Sequence, residues 1–392
     1  MGIYMNQIRL NATSIGDLKA CPQKFRLKHV CQIAPVEDAN SLRIGGSWHK
    51  CHEVYANVLR AARLVGSTTP GGDEFEKQQA MDAVVEYLNT AYSKIPAGKT
   101  PLEWAAERAI LLTSFCVYIA YYAEQQLEVV ATEQKFEIPL MHPRIGMPVN
   151  PKLAVITGRM DSIVKFNGNF CVLERKSTSS DISEGAEYWN LLRKNEQVLI
   201  YALALRNMQD KFPGSQGNTL YDVWRKPQIE PKLLSAADCL HFEHSKTYFR
   251  QEFTVENSVK DGEIIAIFVN KESAELKPLI KGYTLRETPG MFAARLQETM
   301  TADPAKYFQR REIARTEQEI GEFERELFSV YTAVRIFGEE SCYFSNPHSC
   351  KSPYPCEMIP ICYGPGAESV TADSEPPAGF CRLPLHPSQT GV

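Results

Sequence analysis

Residues 158–178 read GRMDSIVKFNGNFCVLERKST, and no other stretch of the chain narrows its fold so far. Apolar residues alternate on either side of Asn167–Asn169 well enough for two strands, and the NGN step between them is a tight turn. The strands are the arms of a hairpin. Asp161 lies on the first arm. Glu174 and Lys176 lie two apart on the second, so their side chains leave the sheet on the same face. Val172 and Leu173 carry that arm into a hydrophobic core, which puts the charges on a rigid element. Two carboxylates brought together repel, and one must take a proton unless a cation sits between them. Oxygen ligands of this kind suit a hard divalent ion. A lysine beside such an ion can orient or help deprotonate water and stabilise charge on a phosphate. An edge hairpin with solvated charges carries the same D…ExK letters, so the hairpin alone does not decide the chemistry.

The segment 13–27, TSIGDLKACPQKFRL, predicts a first helix with Ser14 and Asp17 as a capping box, bent or ended at Pro22. Basic Lys24, Arg26 and Lys28 follow, and residues 32–44 read as a loop. From Gly45 a turn leads into a helix with Trp48, Tyr55 and Leu59 near one face. Periodicity predicts helices over 74–94 and 102–127, a strand from Val129 to Pro139, the two hairpin arms, and one long helix over 187–209. A strand starts at Thr219, and residues 220–290 mix short strands and turns. Residues 310–337 read as one charged helix with an apolar seam at Ile313, Ile320, Phe323, Leu327 and Val334.

With 392 residues, 44% of them hydrophobic, the chain can bury a core without disulfide staples, which excludes a mostly disordered protein. The length fits two or three domains, or one large domain with insertions. The expected division is an N-terminal helical region (1–128), a core of sheet and helices (129–310), a C-terminal helix with a cysteine segment (311–362) and a flexible tail rich in Gly, Pro and Ser (363–392). A net charge of −4 excludes a polycation but not a local positive channel. No signal peptide is visible. The longest apolar stretch, Leu111 to Ala123, is too short for a bilayer span. The expectation is a soluble, cytoplasmic protein without a membrane partner.

Of the 11 cysteines, Cys350, Cys356 and Cys362 are spaced with five residues between each pair, and Cys21 precedes Pro22. Three thiolates need a fourth ligand. Cys21 is the candidate, with Cys342 as a substitute. Zinc accepts four thiolates, but its usual Cys-x₂₋₄-Cys knuckles are absent. The spacing leaves zinc and an iron–sulfur cluster both open.

Several motifs stand in order along the chain. Gly46, His49 and Glu53 form GxxHxxxE; Gly158, Arg159 and Asp161 form GRxD; Glu174 and Lys176 form ExK; Gln197 and Tyr201 form QxxxY. In this the chain resembles the PD-(D/E)XK nuclease superfamily, specifically the RecB-like exonuclease branch that includes CRISPR-associated and phage-type nucleases with an iron–sulfur cluster. The likeness covers most of residues 14–362 and departs at His52, where the pattern usually has leucine. It implies an α/β, restriction-endonuclease-like core: a mixed central sheet flanked by helices, with helical additions and an iron–sulfur staple joining the N- and C-terminal segments.

For the site, the resemblance implies Mg²⁺ or Mn²⁺ held by His49, Asp161, Glu174 and the backbone carbonyl of Arg175. Lys176 is then the catalytic lysine, and Gln197 and Tyr201 position it or the scissile phosphate. Glu53 would orient His49, Glu133 would lie nearby, and Arg159 would contact phosphate or hold a carboxylate. Cys21, Cys350, Cys356 and Cys362 match the set that binds a [4Fe–4S] cluster in that branch.

The implied activity is a metal-dependent DNA exonuclease, working at DNA ends in recombination, repair or phage-like processing. A structure-specific endonuclease, or a non-catalytic DNA-binding subunit of a helicase or recombination complex, is the alternative. The implied partner is DNA, single-stranded or with free ends. No GxxxxGK[ST] loop is present, so a helicase would be a separate partner; a strand-annealing protein is the other implied companion. Lys24, Arg26, Lys28, Arg193 and Lys194 are candidate contacts to the DNA backbone. The segments KFRLKHV and YDVWRKPQIEPK mix basic and aromatic residues in a way that suits single-stranded DNA.

Overall fold

The structure is a computed structural model and describes residues 7–383 apart from 37–39, 65–72, 126, 193–194, 216, 261–262, 280–281, 314, 352–354 and 365–369. The chain opens with β1 (Ile8–Leu10), α1 (Ala12–Ala20), α2 (Pro22–Phe25), a π-helical turn and β2 (Ile33–Pro35). Three helices follow: α3 (Asn40–Leu64), α4 (Glu74–Ala91) and α5 (Pro101–Tyr121). Then come β3 (Glu128–Pro139), β4 (Ala154–Phe166), β5 (Asn169–Thr178), α6 (Glu187–Leu192), α7 (Glu196–Asn207) and β6 (Thr219–Arg225). Helix α8 (Ala236–Ser245) and short strands β7–β13, all between Thr247 and Leu285, form a small insertion around Phe242, Phe253 and Ile267. Helix α9 (Pro289–Ala302), β14 (Phe308–Ile313), α10 (Glu317–Glu340), α11 (Ile359–Cys362) and β15 (Phe380–Arg382) complete the described chain.

Six strands make one mixed sheet. Strand β4 pairs with β3 on one side, and with β1 and β5 on the other. Strand β5 runs parallel to β6, and β6 antiparallel to β14. The β4–β5 hairpin turns on Asn167 and Gly168, whose φ of 49° and 81° are the left-handed values a type I′ turn requires. The parallel step from β5 to β6 uses α6 and α7 as its crossover. Helices flank the sheet in two groups. Residues of α1, α7 and α10 build one core cluster with β1 and β4, while α3, α4, α5 and α9 build another around Trp48, which stacks on Trp224 of β6 at 4.3 Å between ring centroids. This is the mixed α/β sheet flanked by helices that the motifs implied. Among the described residues no helix is long and apolar enough to cross a membrane.

Several local expectations change. The first helix is capped one turn earlier than predicted, by Asn11 in a capping box with Ser14, because Asp17 is taken by ion pairs. Gly45 and Gly46 lie inside α3 rather than in a turn; a Cβ on Gly45 would come within 3.1 Å of Ser177 Oγ, so glycine lets α3 approach β5. The long helix expected over 187–209 is broken, and Asn195 caps α7 with its side chain. Residues 308–313 pair with β6 as a strand, and the charged helix starts only after Thr316, whose capping box with Glu319 fixes its first turn; Ile313 is therefore not part of its apolar seam. The tail expected to be flexible folds back in part. Strand β15 pairs with β2, and Val370 is buried beside Leu27 and Cys31.

Candidate active site

Sheet register brings the two acidic arms together. Ser162 pairs with Leu173, so one step along the strands Asp161 stands opposite Glu174. Asp161 Oδ2 accepts from the Arg175 N–H at 3.1 Å and lies 3.1 Å from His49 Nδ1. Burial pushes the Asp161 carboxyl up, but the His49 hydrogen bond and charge, aided by Arg175, outweigh it and hold the group below the usual carboxylate range.

Glu174 sits in the opposite electrostatic environment. It is 1% exposed, and burial followed by the charge of Asp161 pushes its carboxyl up from 4.5 to about 7, against Lys176 and His49. Its Oε1 lies 2.7 Å from Lys176 Nζ, while its buried Oε2 has no hydrogen-bond partner. One buried carboxylate oxygen is thus open beside a second carboxylate.

Lys176 is held from two sides. It donates to Gln197 Oε1 at 2.6 Å, Gln197 Nε2 donates to Tyr201 OH at 2.6 Å, and Tyr201 donates to the carbonyl of Arg159 at 2.8 Å. The four-residue spacing on α7 puts Gln197 and Tyr201 on one helical face and sets up this relay. It runs from the ExK strand through α7 back to the GRxD strand.

The remaining expected residues divide. Arg159 holds Glu133 at 2.8 Å. Glu133 occupies the left-handed region (φ 49°), and burial raises its carboxyl, which feels the charges of Arg159, Asp161, Glu53 and His49. Glu53 pairs with Lys50 at 2.8 Å rather than serving as an acceptor for His49. His52 is buried among the rings of Trp48, Phe115 and Tyr118, and burial, then the charges of Arg175, His49 and Arg310, hold it well below its usual range. Among the described residues no three His, Cys, Asp or Glu side chains are grouped closely enough to hold a metal ion, either at the hairpin or among the cysteines.

Three of the expected DNA contacts have partners within the fold. Lys24 pairs with Asp17 at 2.8 Å, Lys28 with Glu357 at 3.1 Å, and Arg26 donates to the Val370 carbonyl at 2.8 Å. These cations are spent inside the fold, tying the N-terminal helices to the cysteine segment. Phe25, Tyr221 and Trp224 are buried and offer no stacking surface. Arg193 and Lys194 lie outside the described residues.

Near the termini, Cys21 Sγ accepts from the Asn346 N–H at 3.3 Å, and Cys356 N–H bonds the Cys350 carbonyl at 2.9 Å. Burial pushes the Cys362 thiol up to about 11, with Cys356, Cys21 and Cys350 adding to the push. Cys342 is exposed at the end of α10.

Sequence reasoning missed a second buried polar group. Asp222 of β6 pairs in register with Arg310 of β14, lies beside its Nε at 3.5 Å, and accepts from Tyr118 of α5. The available signal was a lone aspartate in the otherwise apolar run TLYDVW. Among known proteins, no curated sequence is significantly similar to the chain. The family description PD-(D/E)XK nuclease superfamily matches residues 9–363. The match spans the hairpin, the QxxxY helix and the cysteine segment, and the chain belongs to the PD-(D/E)XK nuclease superfamily.

Proposed function

We propose that the chain is a divalent-metal-dependent deoxyribonuclease that acts on DNA ends, with His49, Asp161, Glu174 and the Arg175 carbonyl as metal ligands. Membership in a nuclease superfamily makes phosphodiester hydrolysis the reaction class. The observation that carries the reading is the open Oε2 of Glu174, a buried carboxylate oxygen without a partner next to Asp161. Hard oxygen donors with one imidazole suit Mg²⁺ or Mn²⁺, the imidazole favouring Mn²⁺ somewhat. When bound, such an ion supplies Lewis-acid stabilisation of charge on the phosphate and acidifies water.

The protein's own part is positioning. Glu174 and Gln197 fix the Lys176 ammonium from two directions, so it faces the reacting phosphate without losing rotamer freedom at each turnover. Tyr201 braces Gln197 and ties α7 to the carbonyl of Arg159. Without the ion, His49 holds Asp161 below the usual carboxylate range by hydrogen bond and charge.

A [4Fe–4S] cluster on Cys21, Cys350, Cys356 and Cys362 belongs to the same reading, with the RecB-like branch as its context. Support comes from Lys24 and Lys28, which join Asp17 to Glu357 across the same two segments, and from Asn346, which bonds Cys21 Sγ and lies just before Cys350. The cluster would staple the chain ends across the sheet. A cytoplasmic setting and a separate helicase or strand-annealing partner complete the reading.

The test is cleavage of end-labelled linear DNA and of circular single-stranded DNA with Mn²⁺. The reading expects the linear substrate to be shortened from its ends and the circle to stay intact. Opening of the circle would identify an endonuclease instead.

A further inference from the structure

The central sheet matches its charged cross-strand pairs in sign, with one exception. Glu128 stands opposite Lys165 and lies 3.6 Å from it. Asp222 stands opposite Arg310 at 3.5 Å, and opposite Arg175 on its other side. Lys135 of β3 and Arg159 of β4 also stand opposite each other, and both are cations. Partners in an antiparallel ladder share a face, with Cβ atoms about 5 Å apart, and like charges there repel. Among the described residues theirs is the one like-charged pair in this sheet.

The pair faces solvent. The Arg159 side chain is 63% exposed, and among the described residues only its Nε is engaged, by Glu133 at 2.8 Å. Lys135 is exposed, and among the described residues its ammonium has no ion-pair or hydrogen-bond partner. Position matters as much as charge. Arg159 comes two residues before Asp161, about 7 Å along the strand. The Glu133 that it holds feels the charges of Asp161, Glu53 and His49, so the Arg159 head borders the hairpin's acidic site. Farther out the face is neutral again, because Arg9 holds Glu137 at 2.7 Å. The unmatched positive charge is confined to one step of the sheet beside Asp161.

We propose that Lys135 and the free edge of the Arg159 guanidinium form a phosphate-binding step that guides a DNA strand past the metal site. The proposal rests on the nuclease reading and names the path of its substrate. Neighbouring phosphates on one strand are separated by a distance of the same order as two residues of β4. A phosphate at Asp161 and Glu174 therefore sets the next one over Lys135 and Arg159. Their mutual repulsion, a cost in the free protein, becomes attraction once the polyanion lies across them. Such contacts fix position and carry no sequence information. Both side chains position the strand, and neither touches the reacting atoms.

The test is fluorescence anisotropy of a labelled single-stranded oligonucleotide with the full-length protein, in EDTA so that nothing is cut, across a salt series. Lys135→Gln should weaken binding about three- to tenfold at low salt. It should also lower the slope of log K against log salt by about 0.7, the value of one phosphate contact on a single strand. Lys135→Arg should restore both. Lys94→Gln removes the same charge from an exposed site just beyond α4 and should change neither. Without DNA, Lys135→Gln should be at least as stable as the wild type, because a repulsion is relieved. Unchanged affinity and slope in Lys135→Gln, an equal loss in Lys94→Gln, or a destabilised Lys135→Gln that marks the lysine as structural would overturn the assignment. Absence of DNA binding by the wild-type protein would overturn it too. The nuclease reading is judged separately, by Mn²⁺-dependent cleavage, and survives if only the Lys135 effect is missing.

Discussion

Replacing Glu174 by glutamine tests the electrostatics of the hairpin without needing turnover. In the metal-free protein Glu174 is almost fully buried, and burial, then Asp161, raises its carboxyl from 4.5 to about 7. A raised acid holds its proton more tightly folded than unfolded. Its contribution to stability is therefore complete below 4.5 and is lost as pH climbs through 7. At about 1.36 kcal/mol per unit, going from about pH 5 to about pH 8 removes roughly 2 kcal/mol through this one group. The amide in Glu174→Gln has no proton to lose, so the variant lacks this slope. The assay is urea unfolding with EDTA at both pH values, reading the wild-type loss minus the variant loss. A divalent cation should restore wild-type stability at the higher pH and leave Glu174→Gln unchanged. Parallel pH dependence of the two proteins would refute the buried, repelled carboxylate.

Three further predictions concern other parts of the molecule. Gln197→Ala removes one of the two acceptors that hold Lys176 and leaves Tyr201 without its donor; kcat should fall about 10–100-fold with KM nearly unchanged, and an unaltered kcat would remove Gln197 from the positioning of the lysine. For Asp17, burial pushes the carboxyl up but hydrogen bonds from His29 and Lys24 and the charge of Lys28 outweigh it, holding it at about 2 against an ordinary 3.8; its stabilisation is present above 3.8 and lost as pH falls through about 2, so Asp17→Asn should flatten acid unfolding in that window, measured by circular dichroism. Anaerobically purified protein should carry about four iron atoms per chain, and Cys356→Ser should lose them together with thermal stability; stoichiometric zinc would retire the cluster.

The hairpin was legible because its letters carry both a period and a turn: Asn167 and Gly168 demand left-handed backbone, and the alternation around them has one register that buries Val172 and Leu173. The four-residue spacing put Gln197 and Tyr201 on one helical face, while their tie to Lys176 came only from the family resemblance and the structure supplies its hydrogen bonds. What failed depended on partners far along the chain. Lys24 and Lys28 look like a phosphate-binding patch until Glu357, near the other end of the chain, is folded against them. Residues 310–313 look helical because their charges suit a helix surface, yet Asp222 neutralises Arg310, Tyr118 accepts from it, and the segment joins the sheet. Local propensity yielded there to a tertiary pairing. The like-charged pair of Lys135 and Arg159 could not be read in advance, because it depends on the register between β3 and β4, which neither strand's own letters state.

The most direct measurement is a crystal of the full-length protein soaked with Mn²⁺ and recorded at the manganese absorption edge. The account predicts an anomalous peak about 2.0–2.3 Å from Asp161 and from Glu174 Oε2, with His49 turned onto it and Lys176 beside it. A peak elsewhere, or an empty hairpin in a crystal that holds Mn²⁺ at other carboxylates, would contradict it.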